Sequence, residues 1–462
     1  MKSAVRKYPE ADILTPGGLR ETFAIAAPMV ISHACETLLI FIDRLFLSRI
    51  GPESMNAAMA GGLSSFMLMT FFIGLIGYTT ALVAQYLGAG QKTQCSVVVT
   101  QAALLVIPAT LIIFGCRPVV HLLFGLMDIP DVQRAQQQIY FDILLWGTPL
   151  VLLRTALAGF FSGIGQTRVV MISALIALVI NSCTNYVLIF GHFGFPALGL
   201  RGAAYGTLFG SFCALAMLMA TYLRQPNQRE FSVTAGLTYQ RRIMFKLLRY
   251  GSPAGAEMFL NLLAFTLIVL LFHSHGTVTA TAVTIVFNWD MVSFVPLLGL
   301  QIGIVSLVGR YMGGGSPEIA ERTAYSGLKL GWAYSGVIFI LFVIFPDQLV
   351  QVFAPTDHST VFQLASPLAV DMLRLAAFYV LADAMMVVFS GTLRGAGDTL
   401  WAMGLSVSMH WLLVPIVYVC LKILHLGPIV VWLTFIVFLL ISTGLFYLRF
   451  NRGQWKTLAV TE

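Results

Sequence analysis

The sequence predicts an all-α integral membrane protein with twelve transmembrane helices arranged as two parallel six-helix repeats. Hydrophobic residues make up 58% of the 462 residues, and charged residues make up only 10%. A soluble domain usually carries about 25% charged residues, so a soluble enzyme, a disordered chain and a nucleic-acid-binding protein are excluded. Apolar stretches long enough to cross a bilayer recur along the chain. The second half also repeats, in order, several glycines and prolines of the first half.

Twelve stretches contain the roughly 20 apolar residues that a membrane-spanning helix needs. The first 20 residues are polar and basic, and the run that follows them is too long for a signal peptide, so we expect a retained first span. Several spans contain proline, which membrane helices tolerate because neighbouring helices satisfy the freed backbone groups. The predicted spans lie near residues 23–48, 57–86, 95–115, 139–161, 169–191, 200–222, 247–272, 279–309, 323–346, 368–393, 400–421 and 428–448.

The distribution of lysine and arginine predicts the orientation of the chain. An even number of spans places both termini on one side. That side carries 19 of the 27 Lys and Arg residues, the opposite side carries 5, and the spans contain 3. Because cytoplasmic loops carry the excess of positive charge, we expect both termini and the basic loop at 223–246 to be cytoplasmic.

The internal repeat predicts two bundles of equal orientation. A shift of 225 residues aligns Pro28 with Pro253, and a shift of 232 aligns Gly163 with Gly395. Six spans in each half make the repeat parallel, about an axis along the membrane normal. Such repeats are typical of secondary transporters with a site at mid-membrane between the halves. The predicted units are an N-terminal bundle, a cytoplasmic linker and a C-terminal bundle, at residues 1–222, 223–246 and 247–462.

Ionisable residues within spans are the first functional candidates, because a charge inside a bilayer is costly. The acids in question are Glu36, Asp43, Glu257, Asp290 and Asp383. Asp43 follows Glu36 by seven residues, so the two lie near one face of a helix, two turns apart. Asp383 stands in an apolar stretch without a basic residue within one turn, which favours a functional role.

An oxygen-rich set in spans 1, 5 and 6 suits a proton or a hard cation such as Na⁺. Its members are Asp43, Asn181, Asn185 and Thr207. Asn181 and Asn185 are four residues apart and share a helix face. Asp43, Asn181 and Asn185 would serve as metal ligands only if Na⁺ is the coupling ion. Two alternatives stay open: a salt bridge of Asp43 with Arg154 or Arg374, and simple interhelical hydrogen bonding of the asparagines.

A second set of polar residues suits the substrate. Its members are Asp383, Glu257, Asn261, Asp290 and Glu36. Glu257 and Asn261 are one helical turn apart, and Asp290 follows two aromatic residues, Phe287 and Trp289. Acids beside aromatic rings can hold an organic cation by charge and cation–π attraction. Interhelical polar packing is the alternative for Glu257 and Asp290, and the aromatic residues are more typical of core or lipid-facing packing.

The sequence contains none of the motifs that would indicate an enzyme. It has no phosphate-binding GxxxxGK[ST] loop, no HExxH and no nucleophile elbow. The six cysteines are scattered without a CxxC pair, so they suggest neither disulfides nor a zinc site. We therefore expect no cofactor, and we expect the energy for any transport to come from an ion gradient.

Several motifs, taken together, resemble the multidrug and toxic compound extrusion (MATE) family, in its NorM-like bacterial branch. The resemblance runs from Pro28 to about Thr399. The motifs are Phe41–Asp43, Val83–Gly90, Gly159–Thr167, Asn181 with Asn185, Leu198–Ala204, Gly251–Pro253 and Leu393–Thr399. The resemblance implies two six-helix bundles around a cleft, and export driven by antiport of H⁺ or Na⁺.

The resemblance also implies roles for individual residues. Asp43 matches the acid of the first span, and Asp383 matches the acid of the tenth. The N-terminal cation site of the family is matched by Asn181, Asn185 and Thr207, and Pro28 matches the proline of a kinked, hinge-like first span. One departure is visible: where the NorM-like branch tends to have an acid in span 7, this chain has Asn261, with Glu257 one turn earlier.

The predicted function is therefore cation-coupled export of amphipathic, cationic compounds across the bacterial inner membrane. The expected partners are small organic cations and membrane lipid, and the expected state is a monomer. A lipid-linked oligosaccharide flippase is the main alternative, although such a protein should line its cavity with arginines, and here span acids outnumber span arginines by five to three. A channel or receptor without coupled transport is a third class.

Overall fold

The computed structural model describes residues 15–126, 129–354, 360–458 and 460, and the regular elements of these residues are all helical. The described residues of the N-terminal bundle, here the N-lobe, form nine helices. They are α1 (Leu19–Ser48), α2 (Pro52–Gly77), α3 (Thr79–Gly88), α4 (Lys92–Gly115), α5 (Arg117–Leu126), α6 (Asp131–Trp146), α7 (Thr148–Gly163), α8 (Thr167–Phe190) and α9 (Leu200–Tyr222).

A short helix in the linker, α10 (Gln225–Phe231), leads to the C-terminal bundle, here the C-lobe. A π-helical turn (Val419–Ile423) continues α16, and a 3₁₀ turn (Gln454–Thr457) follows α17. The helices of the C-lobe are α11 (Arg241–His273), α12 (Thr277–Gly313), α13 (Pro317–Ile344), α14 (Pro346–Gln351), α15 (Thr360–Ala396), α16 (Thr399–Tyr418) and α17 (Pro428–Asn451).

The predicted number of spans is confirmed. Eleven helical segments in the described ranges are long and apolar enough to cross a membrane, and the bent pair of α6 and α7 makes a twelfth. The two members of that pair meet at 45°. Pro149, the second residue of α7, explains the bend, because a proline ring removes a backbone donor and clashes with the preceding turn.

The two lobes repeat one packing pattern, which confirms the predicted fold class. In the N-lobe, α1 packs on α8, the α2–α3 pair packs on the α6–α7 pair, and α9 closes the bundle against α8. In the C-lobe, α11 packs on α16, α12 packs on α15, and α17 closes the bundle against α15 and α16. The lobes meet where α1 and α3 lie on α12, and where α2 lies on α11.

The lobes are joined at one end of the molecule, which we call the basic end. It contains the start of α1 and the ends of α3 and α12. The hydrogen bonds that cross between the lobes, among the residues described, all lie in this half. Gln85 donates to the carbonyl of Gly395 at 2.7 Å, and Ser326 donates to the carbonyl of Gly17 at 2.8 Å. The structure is therefore closed at the basic end.

Glycines allow the lobes to approach this closely. A Cβ atom on Gly88 of α3 would stand 1.9 Å from the carbonyl oxygen of Arg310, and one on Gly313 of α12 would stand 2.0 Å from that of Gln85. Both contacts are with rigid backbone. The closed end therefore depends on residues without side chains at the crossing of α3 and α12.

We expect Gly88→Ala to destabilise this closed structure, since its new Cβ would overlap backbone across the lobe boundary. Overpacking typically costs about 1–3 kcal/mol, so the melting temperature of the purified protein should fall. Gly336→Ala in α13 is the matched control, because a Cβ there meets no atom within 4 Å. Equal melting temperatures for the two variants would show that the crossing has room for a side chain.

Candidate functional site

The N-lobe site is centred on Asp43, whose residue surface is only 8% exposed. Asn185 of α8 donates to one carboxylate oxygen of Asp43 at 2.5 Å, and Thr207 of α9 donates to the other at 3.2 Å. Asn181 accepts a hydrogen bond from Asn185 at 3.3 Å and donates to Thr207 at 3.2 Å. The structure thus brings together the four residues that the sequence places in a cation site.

The alternative of a salt bridge to Asp43 is wrong. Arg154 pairs with Glu36 at 2.9 Å, and Arg374 pairs with Asp347 at 3.4 Å. Within the described ranges, Asp43 forms no ion pair. Its charge is therefore balanced by hydrogen bonds alone, and hydrogen bonds to charged groups contribute about 1.5–3 kcal/mol each.

Two residues of this site do not follow from sequence reasoning. Gly206 of α9 lies against Asn185, because an added Cβ would stand 1.9 Å from the side-chain oxygen of Asn185. Tyr140 of α6 is buried within electrostatic range of Asp43. Tyr140 falls at the edge of the predicted fourth span, where a tyrosine is typical of the membrane interface. The sequence indicates a role for Gly206 only through its position next to Thr207.

The chemistry of the N-lobe site fits a proton or a hard monovalent cation. It presents a carboxylate, two carboxamides and a hydroxyl, all of which supply oxygen ligands. The side-chain oxygen of Asn185 is buried and has no hydrogen-bond partner, so it could accept a cation without losing one. The part of the chain that the structure describes contains no cluster of three or more His, Cys, Asp or Glu residues that could hold a metal ion.

We expect Gly206→Ala to change the affinity for the coupling ion at this site. The added methyl group would turn the Asn185 amide away from Asp43, breaking the 2.5 Å hydrogen bond. Loss of one such bond to a charged group should change that affinity roughly tenfold, and the change is a decrease for Na⁺, which would use the side-chain oxygen of Asn185 as a ligand. Gly444→Ala in α17 is the control, because a Cβ there meets no atom within 4 Å. An unchanged coupling-ion affinity in G206A would contradict this account.

The C-lobe contains a second acidic group. Asp383 of α15 is buried and lies within range of electrostatic repulsion from Asp290 of α12. Tyr379, one turn before Asp383, donates its hydroxyl to Asp290 at 2.9 Å. The rings of Trp432 and Phe435 pack around Tyr379. Sequence reasoning missed Tyr379 because a tyrosine in an aromatic-rich bundle resembles ordinary core.

The aromatic residues beside Asp290 serve packing. Phe287 packs against Phe265 and Trp432 in the C-lobe core, and Trp289 donates its indole N–H to the carbonyl of Leu349. This arrangement agrees with the packing interpretation of their positions. Cation–π contact with a ligand at Asp290 would need other rings.

The remaining predicted residues have partners of their own. Glu257 forms an ion pair with Arg394 at 2.8 Å, and Asn261 donates to the hydroxyl of Ser406 at 2.7 Å. Pro28 is buried within α1. Glu36 pairs with Arg154 and is the more exposed partner, so a solute could reach it.

Two lobes of six spans, joined at one end and each holding a buried carboxylate, define a two-lobed membrane transporter. The MatE family model matches residues 28–187 and 253–419, about seven tenths of the chain. The chain belongs to this family, the multidrug and toxic compound extrusion family, as the sequence motifs predict.

Curated relatives and a solved structure agree with this assignment. The chain is 28% identical to "Probable multidrug resistance protein NorM" of Shewanella oneidensis, over 84% of this chain and 83% of that protein. It is 27% identical to "Multidrug resistance protein MdtK" of Yersinia pseudotuberculosis, over 95% and 96%. A structure described as the "outward-facing conformation of a multidrug resistance MATE family transporter" shares the fold, with a TM-score of 0.86 and 19% identity over 95% and 96%. These relatives confirm the NorM-like branch.

Proposed function

We propose that this protein is a cation-coupled antiporter that exports amphipathic, cationic compounds across the bacterial inner membrane. The observation that carries the proposal is Asp43, a buried carboxylate whose partners are amides and a hydroxyl. A buried charge without an ionic partner is costly, and in membrane proteins it marks ion or proton pathways. The names of the relatives support export of drugs and toxic compounds by the same fold.

In the proposed cycle, a proton or Na⁺ enters from outside and neutralises Asp43 and Asp383. Neutralisation weakens the attraction for a cationic compound held near Asp290 and Asp383, and the compound leaves outward. Conversely, binding of the compound lowers the affinity for the coupling ion, because linkage between two ligands is reciprocal. Among the predicted substrate ligands, Glu36, Asn261 and Asp290 are not fully buried.

The cycle also needs the basic end to open. We place this end and both termini in the cytoplasm, on the basis of the lysine and arginine distribution. Closure at that end then corresponds to an outward-facing state. Glu21 of α1 holds the closure: it pairs with Arg310 and accepts a hydrogen bond from Tyr311 at 2.6 Å, both on α12. Pro28, seven residues further along α1, is the proposed hinge.

The flippase alternative has less support. A lipid pyrophosphate would need exposed, unpaired arginines inside the cleft. Arg154 and Arg374, two of the three span arginines, are engaged with Glu36 and Asp347. The acidic groups of both lobes favour a cationic substrate instead.

The test is efflux of a fluorescent organic cation from proteoliposomes that contain the pure protein. A proton gradient and a Na⁺ gradient are imposed separately, and each is then collapsed with an ionophore. Acceleration by one gradient, lost on its collapse, would support antiport and identify the coupling ion. A folded protein that responds to neither gradient would contradict the proposal. Light scattering of the pure protein in detergent tests the expected monomer.

A further inference from the structure

The ion pair between Glu257 and Arg394 joins two helices of the C-lobe near the lobe boundary. Glu257 lies on α11, and its side chain is only 5% exposed. Arg394 comes from the last turn of α15. Two residues before Glu257, Gly255 lies against the backbone of Phe71 in α2, where a Cβ would stand 2.2 Å from the carbonyl oxygen. The pair therefore lies beside the contact between the lobes.

The surroundings of Glu257 supply one permanent positive charge. The charged and titratable groups that face it are Arg394 from α15 and His410 from α16. His410 already engages the carbonyl of Ser406 at 2.8 Å. The guanidinium of Arg394 stays protonated at any physiological pH, so in this structure it balances the Glu257 carboxylate whatever the pH.

The arrangement differs from that at the other buried acids. Asp43 is held by an amide and a hydroxyl, and Asp290 is held by the hydroxyl of Tyr379. Those neutral partners leave a negative charge that a cation can neutralise. At Glu257 the negative charge is already neutralised by a side chain. Asn261, one turn further along α11, is occupied by Ser406.

We propose that Arg394 is a permanent positive partner of Glu257 that prevents coupling ions from binding this carboxylate. It thereby limits the number of ions exchanged per substrate. This inference rests on the proposed antiport. Removal of the guanidinium would leave a buried carboxylate without a positive partner, which must then take up a proton or Na⁺ to stay neutral. Arg394→Gln would thereby add one coupling ion to each cycle.

The experiment measures how steeply substrate accumulates against a fixed ion gradient. Proteoliposomes receive a tenfold gradient of the coupling ion with the membrane potential clamped at zero, and the substrate ratio is read at equilibrium. Each ion exchanged multiplies that ratio by about ten. R394Q is expected to exceed the wild type by about tenfold. The double variant E257Q/R394Q, which lacks both charges, is expected to match the wild type.

The outcomes separate this inference from the proposed function. A wild-type protein without gradient-driven accumulation would contradict antiport itself. If the wild type accumulates substrate and a folded, active R394Q shows the wild-type ratio, the inference is wrong. A ratio for E257Q/R394Q about tenfold below that of the wild type would also overturn it, because Glu257 would then be a coupling group. Should R394Q fail to fold, the double variant decides alone.

Discussion

Asp43→Asn is expected to abolish gradient-driven export while leaving the protein folded. Asparagine keeps the shape of the side chain but can neither take up a proton nor balance a cation. The bound coupling ion and Asp43 would form a buried charge pair, and removing one partner of such a pair costs about 3–5 kcal/mol. The affinity for the coupling ion should therefore fall at least 100-fold. Efflux of a fluorescent organic cation from proteoliposomes, with and without the ion gradient, measures the effect.

Asp347→Asn is the matched control for this result. The substitution is chemically the same as in D43N. The side chain of Asp347, however, is mostly exposed, and its pairing with Arg374 is a surface contact. Exposed pairs contribute at most about 1 kcal/mol, so export should stay at the wild-type level. Retention of full gradient-driven export by D43N, at equal protein levels, would remove Asp43 from the mechanism.

The fold could be predicted well because span length and apolar content are nearly sufficient for helices in a bilayer. What escaped prediction has identifiable causes. The fourth span bends at Pro149, and hydropathy does not distinguish a tolerated proline from a bend. Helix α11 begins at Arg241 instead of residue 247, because a basic amphipathic turn continues the helix beyond the apolar stretch. The helices α5, α10 and α14 are too short to satisfy a span criterion.

The N-lobe residues could be predicted because their chemistry is unusual for a span. A carboxylate in span 1 and two carboxamides one turn apart in span 5 stand out in apolar sequence, and their hydrogen bonds in the structure join them directly. The partner of Glu257 could not be predicted in this way. Arg394 lies 137 positions further along the chain, at the end of its helix, where a basic residue is typical of a membrane boundary.

The resting conformation is expected to depend on Glu21, the acid that α1 presents to α12 at the basic end. Its carboxylate accepts hydrogen bonds from the backbone of Gly17 at 2.7 Å and from Tyr311, and it pairs with Arg310. Glu21→Gln removes the charge from this group. Because the side chains are partly exposed, we expect a loss of about 1–2 kcal/mol, which shifts the balance toward opening roughly five- to thirty-fold.

Distances between spin labels across the basic end test this expectation. Cysteines at the exposed positions Gln91 of the N-lobe and Glu318 of the C-lobe, in a background without native cysteines, carry the labels. In E21Q a longer-distance population should grow at the expense of the closed one. Glu321→Gln is the matched control, because Glu321 pairs with Lys456 inside the C-lobe and does not cross the boundary. If E21Q and E321Q give the same distance distribution as the parent protein, the closure depends on the glycine crossing of α3 and α12, and the ion pair contributes only to local order.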